Sequence, residues 1–295
     1  MDPRIDWPDP SLPGGQTPLF VSLGASTAAG SVHHFTGQGL SRTEFLFSRY
    51  VARAVGMELA DLTVGTTGFL ARGTKGTSGN FMDQIYHNDA ALRRARLITL
   101  VFGYGNDRAA GLPIGDYDDY YPYDEEGYHP EGLEGIRVML DKGVTLMGCL
   151  NWCIKWCRER YPRATLIPIL GAPSINKGRA VPVAENPDGE GPGRAGRKLV
   201  FADPYQEGSD FARLSREFDR LMAALGMCGV NMLREGMPFI WYRAMARDPD
   251  GRYAIFSTKG PEEDPSAWVW NSHPNDDGYH EYARYVAGKV LALYR

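Results

Sequence analysis

The run ARLITLVFG, residues 95–103, decides the fold. It is almost entirely apolar, rich in residues that favour extended backbone, too short to span a membrane and stopped by Gly103. Such a run reads as a strand covered on both faces, as strands of parallel sheets are. Working outward, LFVSLG (19–24) has the same character and runs into the small-residue turn ASTAAG, while LADLTV (59–64), RATLIPILG (163–171) and CGVNML (228–233) supply three further short strands. Helix-period segments separate them: TEFLFSRYVARAVGM (43–57), MDQIYHNDAALRRA (82–95), VTLMGCLNWCIKWCRER (144–160) and FARLSREFDRLMAALG (211–226), with GYHEYARYVAGKVLALYR (278–295) closing the chain. Alternation of strands and helices predicts parallel crossover units: an α/β three-layer α/β/α sandwich with a five-stranded parallel sheet. RYAIFS (252–257) is an additional strand or a hairpin arm. The prediction is one domain over residues 1–295, with insertions at about 108–135 and 172–197, the second a Gly/Pro-rich excursion after which alternation resumes.

Of 295 residues, 43% are apolar and 23% charged, the proportions of an ordinary globular protein. The formal charge of −4 leaves no basic surplus for a phosphate backbone, which argues against a nucleic-acid partner. No stretch reaches the roughly 18 consecutive apolar residues of a membrane helix, so no membrane partner is expected. The start of the chain lacks the features of a signal peptide. Cys149, Cys153 and Cys157 recur every fourth residue, which predicts a stripe of reduced, buried thiols on one helical face rather than a metal site. Reduced thiols fit a cytoplasmic setting.

In an open parallel sheet, ligands gather at the carboxyl ends of the strands. The polar residues predicted there are Ser26 after the first strand, Gly68 after the second, Asn106 and Asp107 after the third, and His273 ahead of the last helix. A hydroxyl nucleophile, a backbone donor, an amide donor and an imidazole base are the groups that acyl transfer to water requires. Taken singly each has a plainer reading: Ser26 as a helix cap, His273 before Pro274 as a turn residue. Their ordered coincidence is what favours chemistry.

FVSLGASTAAG, VGTTGFLARG, LITLVFGYGND and WNSHPNDDGYHEYA, in that order, resemble the conserved blocks of the SGNH hydrolases, also called the GDSL esterase/lipase family. The resemblance implies a flavodoxin-like fold and a serine esterase needing no cofactor. It makes Ser26 the nucleophile, His273 the general base, and the oxyanion hole the N–H of Ser26, the N–H of Gly68 and the side-chain amide of Asn106. Three departures stand out. Ala25 replaces the Asp of the first block; the third block reads Tyr104-Gly105-Asn106-Asp107; and the triad Asp, three residues before the His, is Trp270. The acid's task is to orient the imidazole and support its charge, so the main-chain carbonyl of Trp270 is expected to take over the first part. Asp264 and Asp276 are alternative acids.

The insertion carries Tyr117, Tyr120, Tyr121, Tyr123 and Tyr128 among many acids. These rings either stack on sugars near the cleft or anchor the loop to the body. Tyr104, Asp107, Tyr120 and Tyr121 are the candidate substrate contacts, with Asp107 also suited to orienting its own turn. The polarity of the loop favours a carbohydrate or small ester bearing acetyl or another short acyl group. A different class of reading, a catalytically silent module that binds a glycan or protein, is motivated by Trp270 and Ala25. A nucleotide-binding reading fails for want of a GxGxxG or Walker pattern.

Overall fold

The computed structural model describes residues 17–33, 40–65, 67–70, 80–123, 139–171, 178–181, 198–201, 210–235, 255–256, 269–270 and 276–294. Five strands form one parallel sheet: β1 (Leu19–Gly24), β4 (Glu58–Asp61), β5 (Ala95–Phe102), β6 (Thr165–Leu170) and β9 (Val230–Asn231). Their order is β4-β1-β5-β6-β9. The predicted α/β sheet is thus the observed one, and every pairing within it is parallel. β5 lies at the centre, with Gly24 opposite Val101 on one side and Phe102 opposite Leu170 on the other.

Apolar side chains of the strands alternate between two cores. Val21, Leu23, Ile98, Leu100 and Phe102 face one layer. It contains α2 (Phe81–His87), α3 (Asp89–Arg94), α5 (Leu146–Arg160) and α6 (Asp210–Ala224). Phe20, Leu97, Val101, Ile167 and Ile169 face the other, which α1 (Phe47–Val55) and α7 (Asp276–Leu293) cover. Full burial of each such side chain contributes about 1.5–3 kcal/mol, so the two-sided core explains why the strands read as unbroken apolar runs. Cys149, Cys153 and Cys157 lie buried along the inner face of α5, as their spacing predicts. Burial pushes the Cys157 thiol up to about 12 and the Cys153 thiol well above its ordinary value, so both stay protonated.

Several boundaries differ from the sequence expectation. The segment 82–95 forms two helices because Asn88 leaves helical geometry and its side-chain amide donates to the carbonyl of Gln84 at 2.7 Å. The second strand is shorter than expected and shifted toward the amino end. Beyond Asp61 the chain still runs beside β1, with Leu62 N–H donating to Ser22 O and Val64 N–H to Gly24 O, each at 2.9 Å. The Gly/Pro-rich tract is not wholly irregular: β7 (Gly178–Val181) pairs antiparallel with β8 (Lys198–Phe201). Ile255–Phe256 (β10) pairs antiparallel with Val269–Trp270 (β11), which makes RYAIFS a hairpin arm rather than a member of the main sheet. A further hairpin joins β2 (Ser31–His33) to β3 (Leu40–Arg42). No helix among the described residues is long and apolar enough to cross a membrane.

Candidate functional site

Adjacency of β4, β1 and β5 places the loops that follow them side by side at one end of the sheet. β1 delivers the first group. Gly24 must lack a side chain, since a Cβ there would lie 2.6 Å from Ala28 Cβ and 3.0 Å from Val101 O. The turn that follows is closed by Ala29 N–H donating to Ala25 O at 2.9 Å and Gly30 N–H to Thr27 O at 3.3 Å. Gly30 takes φ +70°, and its carbonyl accepts from Thr43 N–H at 2.8 Å. Ser26 sits half-buried at the start of this turn. Ala25 contributes its backbone carbonyl to the turn.

The loops after β4 and β5 grip one another. A short helix, α4 (Gly105–Ala109), begins at the end of β5 and carries Asn106 and Asp107 on its first turn. The Asn106 amide donates to Thr67 O at 3.1 Å. Asp107 is fully buried, its Oδ2 accepting from Phe69 N–H at 2.9 Å and its Oδ1 from Leu70 N–H at 2.8 Å. Gly68 lies against this carboxylate so closely that a Cβ would overlap Asp107 Oδ1. Its carbonyl accepts from Phe81 N–H at 3.0 Å. The structure thus brings Gly68, Asn106 and Asp107 together. An amide NH2 has two donors, so Asn106 keeps one N–H for another oxygen. Carbonyl and N–H of a trans peptide point in opposite directions, and the Thr67–Gly68 peptide turns its carbonyl, not the Gly68 N–H, toward Asn106.

Three residues that the motif reading passed over lie at this loop. Asn80 caps α2, accepting from Met82 and Asp83 N–H, while Asp83 Oδ2 accepts from Asn80 N–H at 3.0 Å. That reciprocal cap was legible as Asn80-x-x-Asp83 ahead of a helical segment. Gln84, one residue on, lies with its amide nitrogen 3.4 Å from Thr67 Oγ1.

Of the expected substrate contacts, Tyr104 and Asp107 use their polar groups inside the protein. Tyr104 is buried, its hydroxyl donates to Leu112 O at 2.9 Å, and burial followed by the charge of Asp210 raises its phenol. For Asp107 the geometry is that of the turn-orienting role. Tyr121 packs against the core with its N–H on Gly148 O, and Tyr120 is half exposed, its ring under Lys155 Nζ at 4.8 Å. Tyr117 lies under the Arg220 guanidinium at 4.0 Å, and Tyr123 donates to Asp83 Oδ1 at 2.7 Å and stands 5.4 Å from the Trp152 ring. Tyr117, Tyr121 and Tyr123 therefore anchor the loop to the body. His273, Asp264 and Tyr128 lie outside the described residues. Trp270 ends β11, and α7, whose first residue is Asp276, packs on α1 on the second core. Among the described residues no cluster of three His, Cys, Asp or Glu side chains forms a metal-binding group.

No family model and no curated protein matches the chain. Solved structures do resemble it. A possible lipase from Chitinophaga pinensis DSM 2588 is 16% identical, with a TM-score of 0.51 and 94% of this chain and 98% of that chain covered. A protein from Lactobacillus plantarum is also 16% identical, with a TM-score of 0.49 and 94% and 97% covered. Phospholipase A1 from Streptomyces albidoflavus NA297 is 15% identical, with a TM-score of 0.48 and 95% and 100% covered. At such identities the likeness is one of fold alone, the five-stranded parallel α/β arrangement.

Proposed function

We propose that this protein is a serine hydrolase acting on ester bonds, with Ser26 as nucleophile and His273 as general base. The observation that carries the proposal is the hydrogen bond from Asn106 to Thr67 O, which joins two of the four motif loops at the rim where β1 presents Ser26. His273 takes the hydroxyl proton as Ser26 Oγ attacks the ester carbonyl. The negative charge on the carbonyl oxygen is received by the N–H of Ser26 and the remaining N–H of Asn106. The imidazolium then protonates the departing alkoxide as the ester C–O bond breaks, and water repeats the sequence to free the acid. The carbonyl of Trp270 orients the imidazole in place of an acid, at some cost in imidazolium stabilisation. Side chains and water suffice for every step, without a cofactor.

The proposed substrates are small or carbohydrate esters carrying acetyl or another short acyl group, met in the cytoplasm. Tyr120, exposed beside Lys155, is the insertion residue among those described that remains placed to meet a carrier sugar. The test is turnover of para-nitrophenyl acetate together with labelling by a fluorophosphonate. Both are expected for the wild type and lost in Ser26→Ala. If the wild type shows neither, the chain is a binding module that uses the same fold, the reading that Trp270 and Ala25 would then favour.

A further inference from the structure

We infer that Asp107 is a positioning residue for this reaction, fixing the direction in which the neighbouring Asn106 amide is offered to substrate. The inference rests on the hydrolase reading above and adds a role that the reading does not need. A fully buried carboxylate is expensive unless its oxygens are engaged. Here both are, by consecutive backbone N–H groups of a loop 37 and 38 residues away in sequence. Charge-assisted bonds to two successive peptides set the direction of each peptide, not merely the position of the loop. The loop so held contains Thr67 O, which is the acceptor that orients the Asn106 amide. Residues 106 and 107 are adjacent in α4, so one helical turn both offers the amide and holds the strip of backbone that aims it.

The carboxylate also fills the space where a side chain at position 68 would stand. The loop therefore cannot slide toward α4, and loss of the carboxylate would let it drift. Asn106 would then lose its fixed acceptor and present its free N–H over a range of directions. A misaligned donor weakens transition-state binding more than ground-state binding, so kcat should fall with little change in KM. Each oxygen of Asp107 holds one backbone N–H of the loop.

The test is Asp107→Asn, which keeps the shape but turns one oxygen into a donor facing a backbone N–H. Fluorophosphonate titration counts the functional sites, so rates are read per site and loss of folded protein drops out. The expected result is a fall in kcat per site on the order of 10- to 100-fold, with KM and the pH dependence of kcat/KM unchanged. In an Asn106→Ala background the same substitution should change kcat per site by less than about twofold, because coupled residues are not additive. Gly68→Ala, whose Cβ displaces the carboxylate, should reproduce the pattern and carries the test if Asp107→Asn yields no titratable sites. An unchanged kcat per site in the substituted protein, or an equal loss with and without Asn106, overturns the inference and leaves the hydrolase reading standing. A wild type inert to both ester and label overturns that reading and this inference with it.

Discussion

Asn106 and Thr67, 39 residues apart in sequence, are joined by a 3.1 Å hydrogen bond from side-chain amide to backbone carbonyl. The bond crosses from the loop after β5 to the loop after β4, whose strands flank β1 in the sheet, so its loss is expected to register in both rate and fold.

Asn106→Ala should lower kcat on the order of 10²- to 10³-fold, the usual cost of removing one oxyanion donor. Loss of the bond to Thr67 should cost about 1 kcal/mol of stability. Steady-state kinetics beside urea denaturation separates the two; a rate loss under about threefold would remove Asn106 from the proposed hole.

Asn80→Ala should destabilise the protein by about 1 kcal/mol, since it removes the cap acceptor of α2 and leaves the N–H groups of Met82 and Asp83 without it. Asn80→Ser, which can accept in the same way, should recover much of the loss. Thermal melts of the three proteins check this.

Under native conditions a thiol reagent such as DTNB should react with Cys228, which is exposed, and spare Cys149, Cys153 and Cys157, which are buried. Burial holds the Cys153 and Cys157 protons, so little thiolate exists to react even near pH 9. Unfolding in guanidinium should release all four. Release of more than one equivalent from the folded protein would contradict the packing of α5.

Asp89 accepts from Arg160 and from Arg93, each at 2.6 Å, and from the Tyr161 hydroxyl at 2.9 Å. Arg160 first and Arg93 second hold its carboxyl down at about 2, below the ordinary 3.8. A carboxylate depressed on folding stabilises the native state above its unfolded value, and that contribution fades as pH falls toward 2. The Asp is partly exposed, so solvent screening keeps the effect small. Wild type should exceed Asp89→Asn in denaturation midpoint at pH 6, and the difference should shrink as pH falls below 3.8 and through about 2. A difference independent of pH would assign the effect to packing.

Much of the fold was legible because parallel strands buried on both faces write themselves as short apolar runs. LFVSLG became β1 without a shift of boundary, and ARLITLVFG became β5 to within its final glycine. The stripe of Cys149, Cys153 and Cys157 was legible for the related reason that a four-residue spacing repeats on one helical face. The break at Asn88 was hidden because the apolar periodicity continues through it, and a single side-chain bond to Gln84 O decides where α2 stops. The hairpin β7–β8 was hidden by a composition that reads as loop.

The motif residues Ser26, Gly68 and Asn106 could be placed at strand ends from sequence order alone, since each follows an apolar run. That Asp107 turns inward, that Tyr104 satisfies its hydroxyl on Leu112, and that Tyr117, Tyr121 and Tyr123 bind their loop to the body could not be placed in that way. The sequence by itself determined the alternation of elements and the rim at which polar groups collect, because hydrophobic periodicity is a local property of the chain. Only the tertiary structure decided which polar groups face one another across that rim, because hydrogen bonds such as Asp107 to Phe69 and Leu70 join residues whose proximity exists only once β4, β1 and β5 are side by side.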